Sequence, residues 1–119
     1  MSQSTQAALT INSIISGQAF GATGAVTTTP AGAAACKTVQ SIATSSTQIV
    51  LEVTGSPAYL FILNDDPTNY VQVDANSSFN GFPQTIQPGG FILLSPGTAT
   101  VYAKANTSPV LITVLALPA

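Results

Sequence analysis

The sequence lacks histidine, arginine and tryptophan and contains few charged residues of any kind. Charged residues make up 5% of the 119 residues, against roughly 25% in an ordinary soluble domain. The charged residues are Lys37, Lys104, Glu52, Asp65, Asp66 and Asp74, which give a net charge of -2. Copies with so little charge repel one another weakly, so the composition favours self-assembly or docking. The alternative is a secreted β-protein rich in serine and threonine that tolerates low charge.

The missing residue types exclude several kinds of site. Without histidine, Ser-His-Asp and Cys-His arrangements are impossible, and zinc sites need more cysteine and histidine than the chain has. The single Cys36 cannot form an intrachain disulfide; it lies among alanines and is interpreted as an inert buried thiol. Two separated lysines cannot neutralise a run of phosphates, so nucleic acid is excluded as a partner. We therefore predict no enzymatic activity, no cofactor and no metal.

The acidic residues were considered as a possible site because glycoside hydrolysis uses two carboxylates. Asp65 and Asp66 are adjacent in a turn, where aspartate commonly bonds its own backbone, and Asp74 opens a loop. The alternative is a calcium site formed by these three aspartates with Asn64, although EF-hand spacing is absent. Turn formation is therefore the preferred interpretation.

Targeting signals are not evident. Residues 1–20 lack a positively charged segment, and their apolar residues are interrupted by threonine, asparagine and serine, which argues against a signal peptide. No apolar run approaches the ~20 residues that span a bilayer. We expect synthesis in the cytoplasm, no export step and no membrane partner.

Residues 1–45 are predicted to form an N-terminal arm with accessory strands. Leu9 and Ile11 are spaced for one face of a strand, so a strand is favoured there. Residues 17–35 contain four glycines and Pro30, which argue against a helix. Two alternatives remain for that segment, a flexible linker or an extended arm that orders against a neighbour.

Residues 46–119 alternate short apolar runs with turn signals such as Pro88-Gly89-Gly90, a pattern typical of antiparallel strands. The predicted strands include Thr47–Thr54, Ala58–Leu63, Tyr70–Val73, Phe91–Leu94, Thr98–Ala105 and Val110–Leu117. No long amphipathic helix pattern occurs. The sequence predicts an all-β fold, an antiparallel β-sandwich or jelly-roll-like single domain with an extended N-terminal arm.

Two of these strands, Ala58–Leu63 and Val110–Leu117, are apolar on both faces, so each is predicted to be central or buried by a partner. The N-terminal segment, from the same chain or a neighbour, is the predicted cover.

The loop Asp74–Gln84 carries two phenylalanines among polar residues, which are either a lid on the core or an anchor in a neighbouring subunit. The predicted protein-interface residues are Leu9, Ile11, Phe20, Val26, Phe79 and Phe82.

The segments LFILNDDPTNYVQV, IQPGGFILLSPG and TVYAKANTSPVLITVLAL carry a resemblance to a known family. Through Asn64, Thr68–Val71, Pro88-Gly89 and Tyr102–Asn106, the second half of the chain resembles small β-sandwich structural proteins of tailed bacteriophages. The resemblance implies a virion component, with a capsid decoration or cement protein as the expected role. It also implies a homotrimer, the major capsid protein as partner, and a location on the capsid surface of the virion.

Two other functions stay open. A structural protein of the neck, tail or fibre attachment has the same sequence features. From another class, a carbohydrate-binding module uses a β-sandwich as scaffold, but its sites usually need planar aromatics on an exposed face. Tyr59, Tyr70 and Tyr102 fall within strand patterns, and we expect these strands to bury them.

Overall fold

The computed structural model describes residues 5–15, 18–28, 36–51 and 56–118. These residues form strands only, so they contain no helix that is long and apolar enough to cross a membrane. The strands are β1 (Thr5–Ile15), β2 (Gln18–Thr28), β3 (Cys36–Ile42), β4 (Thr47–Gln48), β5 (Pro57–Asn64), β6 (Val71–Asp74), β7 (Gln84–Ile86), β8 (Phe91–Leu94), β9 (Tyr102–Ala105) and β10 (Val110–Pro118). The chain divides into two compact units, Met1–Ala31 and Gly32–Ala119.

The first unit is an antiparallel hairpin of β1 and β2, in which Thr5 lies opposite Thr28 and Ile15 opposite Gln18. The strand predicted around Leu9 and Ile11 is present as β1. Residues 18–28, left open between a linker and an extended arm, form a strand. Their glycines disfavour a helix, and their valine and threonines favour extended backbone.

The second unit contains two four-stranded antiparallel sheets. In the first sheet the strand order is β3-β10-β5-β8, and in the second it is β4-β9-β6-β7. The predicted all-β sandwich fold is therefore confirmed. Strand β3, which lies within the region predicted to hold accessory strands, pairs with β10 inside the first sheet; the division at residue 45 stays a prediction.

The core lies between the two sheets and follows the two-residue period of the strands. Ile62 and Ile112 of the first sheet, and Val71 and Ala103 of the second, are fully buried. Burying one such aliphatic side chain contributes roughly 1.5–3 kcal/mol, less for alanine. Alternating positions of the predicted strands are buried at Val71, Val73, Val101, Ala103, Ala105, Val110, Ile112 and Val114, which agrees with the two-residue period.

Two strands are shorter than predicted because local hydrogen bonds replace the ladder. β4 ends at Gln48, and the backbone of Val50 bonds instead to the side chain of Gln40. β9 begins at Tyr102, since the hydroxyl of Thr98 accepts the N–H of Thr100. Ile49 and Leu51, which share one face of the predicted strand, are nevertheless buried, whereas the predicted end of this strand, residues 52–54, lies outside the described residues.

The turn at Pro88-Gly89 carries the chain from the second sheet into the first. The N–H of Gly90 donates to the carbonyl oxygen of Gln87 at 2.8 Å, and Gly89 has a φ of 72°. Proline followed by a residue of positive φ is the pattern of a type II turn. The turn places β7 and β8 at the same side of the sandwich, each at the edge of its sheet.

Candidate interaction site

The outer face of the first sheet, on the side away from the core, is apolar. In β5 from Leu60 onwards and in β10 up to Ala116, the even-numbered residues are buried on the core side of the sheet, so the odd-numbered ones alternate to the outside. The register places Phe61 opposite both Leu115 and Leu93, which makes apolar side chains adjacent across three strands. We call this surface the outer apolar face; it comprises Val39, Tyr59, Phe61, Leu63, Phe91, Leu93, Leu111 and Leu115.

Part of the outer apolar face is open to solvent. Val39 is 63% exposed, Leu111 53% and Phe91 51%. The rings of Phe61 and Phe91 lie with their centroids 5.6 Å apart in a tilted arrangement, so the face also has an ordered aromatic pair. Contiguous apolar patches of this kind mark interaction surfaces more often than they mark free protein surface.

Polar groups on this face are few and lie towards one end or one edge. Lys37 lies on the edge strand β3, opposite Leu115. Thr113 interrupts the apolar residues of β10, and its hydroxyl donates to a carboxylate oxygen of Asp65 at 2.6 Å. A partner that covers this face therefore meets mainly hydrocarbon.

The outer face of the second sheet has the opposite character. Gln72 lies opposite both Lys104 and Thr85 in the register, so polar side chains are adjacent across three strands. The amino group of Lys104 lies 4.6 Å from the ring centroid of Phe79, a cation–π contact. An antiparallel sandwich commonly has polar outer faces, so the apolar outer face of the first sheet is the exceptional one.

A groove lies between the edges of the two sheets on the side of β7 and β8. Its apolar lining includes Ile92, Leu94 and Val101, and Phe82 stands at its rim with 81% of its surface exposed. On the opposite side of the sandwich, the side-chain amide of Gln40 bonds both the N–H and the carbonyl oxygen of Val50. We call these two hydrogen bonds the Gln40 clip. The clip closes one side of the sandwich, whereas the groove opens the other.

Asp74 lines the groove, but its carboxylate already accepts hydrogen bonds from the loop that follows it. Its two carboxylate oxygens accept the N–H groups of Asn76 at 3.3 Å and of Gly81 at 3.1 Å. A Cβ atom added at Gly81 would lie 3.0 Å from the same carboxylate, so this close approach favours glycine. Asp74 therefore holds the loop 75–81 and leaves the groove largely apolar.

The predicted interface residues lie in two segments of the chain, the loop between β6 and β7 and the β1–β2 hairpin. Phe79 is half-buried against Lys104 on the second sheet, whereas Phe82 is exposed at the groove, so neither is in the buried core. The remaining four lie on the β1–β2 hairpin, where the register puts Leu9 opposite Gly24, and their side chains lie outside what the structure describes. They are Leu9, Ile11, Phe20 and Val26. The interface role of all six stays a prediction.

The residues that carry the phage resemblance have structural roles in this fold. The side-chain amide of Asn64, which is fully buried, donates to the carbonyl oxygens of Asn69 and Ile86. The N–H groups of Asn69 and Thr68 both donate to Asp66 and lower the pKa of that carboxyl below its ordinary value. Asn69 in turn accepts a hydrogen bond from the hydroxyl of Thr107. The motif therefore fixes the loop between β5 and β6.

The other candidate clusters are dispersed. Asp65 and Asp66 precede β6 and Asp74 ends it, so the three carboxylates considered for calcium are not brought together; the described residues contain no group of three potential metal ligands. Tyr59 lies on the first sheet and Tyr102 on the second, so the tyrosines considered for carbohydrate binding do not share a face.

Comparison with protein-family models, with curated proteins and with solved structures finds no match to this chain. The resemblance to phage structural proteins is therefore neither supported nor opposed by these comparisons. The outer apolar face and the groove are the features from which a function can be argued. Sequence reasoning found β5 and β10, which are apolar on both faces, and predicted β8 as a strand. It missed the groove and the contribution of Val39 and β8 to the outer apolar face, because these residues become neighbours only through the strand order.

Proposed function

We propose that this chain is a structural subunit of a virion that docks through the outer apolar face of its first sheet. Within that class, the proposed role is a capsid decoration or cement protein on the phage head, assembled as a homotrimer and bound to the major capsid protein. The observation that carries the proposal is the outer apolar face, which spans all four strands of one sheet.

The energetics favour a docked state over a free one. Full burial of one leucine or phenylalanine contributes roughly 1.5–3 kcal/mol, so covering the exposed half of Leu111 or Phe91 contributes about 1 kcal/mol. Several such side chains together are enough to drive association, provided that the partner presents a complementary apolar surface. The low charge of the chain removes a repulsion that would oppose repeated copies on one shell.

The phage assignment rests on the resemblance of the turn and hairpin segments, in particular Asn64 and the run Thr68–Val71. The geometry of these residues supports a β-sandwich with a fixed loop. Position on the head, rather than at the neck, tail or fibre attachment, is part of the proposal and is tested separately.

Docking is tested with a matched pair of lysine substitutions in the full chain. Leu111→Lys places a charge on the outer apolar face, and Thr85→Lys places one on the polar outer face of the second sheet, where the side chain is exposed. Binding is measured by co-sedimentation with purified heads that lack the protein. We expect Leu111→Lys to weaken binding at least tenfold, since burying an unpaired charge is costly, and Thr85→Lys to leave it unchanged.

Equal binding by wild type and Leu111→Lys, with both folded by circular dichroism, would refute the docking surface. Location is settled by cryo-electron microscopy of virions. Density for the sandwich at the neck or tail would replace the decoration role, and absence of the chain from purified virions would refute the virion role altogether.

A further inference from the structure

The outer edge of β8 is an unpaired strand edge. β8 pairs with β5 on one side, and among the described residues no strand pairs with it on the other. The N–H of Asn64 donates to the carbonyl oxygen of Gly90 at 2.9 Å, which marks Asn64 and Gly90 as a hydrogen-bonded pair of this ladder. Because such pairs alternate along antiparallel strands, Ile92 and Leu94 direct their backbone groups to β5. The N–H and carbonyl groups of Phe91 and Leu93 therefore point outwards from the sheet.

This edge lacks the devices that normally prevent edge-to-edge pairing. Such devices are charged side chains, proline, bulges or very short strands. The other three edge strands of the sandwich each have such a device. β3 contains the charged residue Lys37, β4 has only two residues and is followed by the hydrogen bonds between Gln40 and Val50, and β7 has only three residues. β8 has the sequence Phe-Ile-Leu-Leu, and the chain has no charged residue between Asp74 and Lys104.

We propose that β8 pairs with β8 of a second copy about a two-fold axis, which joins the two first sheets into one eight-stranded sheet. The axis passes beside Ile92, so that Ile92 lies opposite its own symmetry mate and Phe91 lies opposite Leu93 of the second copy. In this register the outward N–H and carbonyl groups of Phe91 and Leu93 in both copies form four intermolecular hydrogen bonds. Directly opposite residues share a face in an antiparallel pair, so the two outer apolar faces become continuous.

A second copy is favoured as the occupant because the edge is complementary to itself. The outward groups of one β8 are satisfied in full by the same groups of another β8, so the pairing needs no further element. No like charges meet, since the whole segment from residue 75 to residue 103 is uncharged. Phe82, exposed at the rim of the groove beside β8, is placed to contact the added strand.

This inference rests on the edge of β8 and not on the virion role. A two-fold contact is compatible with the proposed trimer, because dihedral symmetry combines two-fold and three-fold contacts in one closed assembly. The expected solution species therefore contains an even number of chains, a dimer or a hexamer.

Cysteine cross-linking tests the register directly in a Cys36→Ser background, where the engineered cysteine is the only thiol. The two Ile92 Cα atoms would lie about 4.5 Å apart as a non-hydrogen-bonded pair, within the range that a disulfide spans. The two Leu94 Cα atoms would lie about 14 Å apart, at ~3.4 Å per residue along the strands. Both side chains are partly buried against the core, so Leu94→Cys is a matched control.

After mild oxidation of the full-length protein, we expect Ile92→Cys to give a disulfide-linked dimer in non-reducing electrophoresis and Leu94→Cys to stay uncross-linked. A monomeric wild type in light scattering, or cross-linking of both variants or of neither, would overturn the proposal.

A second pair of variants separates this contact from head binding. Phe91 and Leu111 are about equally exposed on the same face, but only Phe91 lies on the β8 edge. We expect Phe91→Lys to halve the mass measured by light scattering, because each introduced lysine would lie opposite Leu93 of the second copy and diagonal to the other lysine, about 7–8 Å away. Leu111→Lys should keep the mass while losing head binding. An unchanged mass for a folded Phe91→Lys would contradict the β8 contact and leave the docking proposal untouched.

Discussion

The buried side chain of Asn64 provides the sharpest test of how this sandwich is held together. Its side-chain amide donates to the carbonyl oxygens of Asn69 at 2.8 Å and Ile86 at 3.1 Å, and its oxygen accepts the N–H of Asp66 at 2.9 Å. A third, longer contact reaches the carbonyl oxygen of Gln87 at 3.3 Å. One side chain thus links the end of β5 to the loop before β6 and to the end of β7.

Replacing Asn64 with alanine removes all of these hydrogen bonds at a position with no solvent exposure. A typical intramolecular hydrogen bond contributes about 0.5–1.5 kcal/mol, and a buried partner left unsatisfied costs about 1–3 kcal/mol. The bond to the carbonyl oxygen of Ile86 is buried, whereas those to Asn69 and Asp66 are partly buried and can regain water. Three bonds therefore give an expected loss of about 3–4 kcal/mol, a large part of a total stability of the order of 5–15 kcal/mol.

The loss is measured as the change in the free energy of unfolding in urea, where it should lower the midpoint by about 2–3 M for a chain of this size. Asn76→Ala is the control, because the exposed side chain of Asn76 accepts a single hydrogen bond from the N–H of Ser78 in its own turn. We expect that control to change stability by less than about 1 kcal/mol. A loss below 1 kcal/mol for Asn64→Ala would show that water replaces the network and that the reasoning is wrong.

Three further predictions concern the hydrogen bonds between Gln40 and Val50, the carboxylate of Asp66 and the turn at Gly89. Gln40→Ala removes both bonds to the exposed Val50 and should cost only about 1 kcal/mol, while hydrogen exchange at the Val50 amide accelerates; unchanged exchange would contradict the clip. The lowered pKa of Asp66 means that its charged form stabilises the fold above the ordinary value of 3.8, and that this contribution disappears as pH falls through the lowered value. Asp66→Asn should therefore reduce the free energy of unfolding at neutral pH and have little effect at a pH below the lowered pKa, and a deficit that persists in acid would count against this cause. Gly89→Ala should cost about 1–2 kcal/mol in urea unfolding from its φ of 72° alone, because nothing lies within 4 Å of the added Cβ; a loss above 3 kcal/mol would show that contacts are involved.

The sequence was sufficient to predict the fold class because its signals are local. The alternation of Val71 and Val73, or of Ile112 and Val114, reports which side of a strand faces the core without reference to any other strand. Turn residues act locally as well, and Pro88-Gly89 specifies a turn by its own backbone preferences. Where local hydrogen bonds compete with the ladder, as at Val50 and Thr100, the predicted strand was too long.

The candidate site could be predicted only in part, because sequence signals are local and the site depends on which strands become neighbours. The double-sided apolar pattern of β5 and β10 is visible in the sequence, and the structure places both as central strands of one sheet. The interface residues chosen from the sequence were aromatic or aliphatic residues within otherwise polar segments. Phe82 is indeed exposed at the groove, but the larger apolar surface lies on strands β3, β5, β8 and β10, none of which contains a predicted interface residue.

By itself, the sequence determined that this chain is an all-β sandwich with little charge and with two strands apolar on both faces, because composition and residue period are properties of neighbouring residues. Only the tertiary structure decided that β3 and β8 flank those two strands, so that Val39 and Phe91 extend one continuous apolar face. It also decided that Gln40 closes one side of the sandwich while the edge of β8 stays open on the other. Strand order is set by pairing between residues far apart in the chain, and no local pattern encodes which strand is left at the edge.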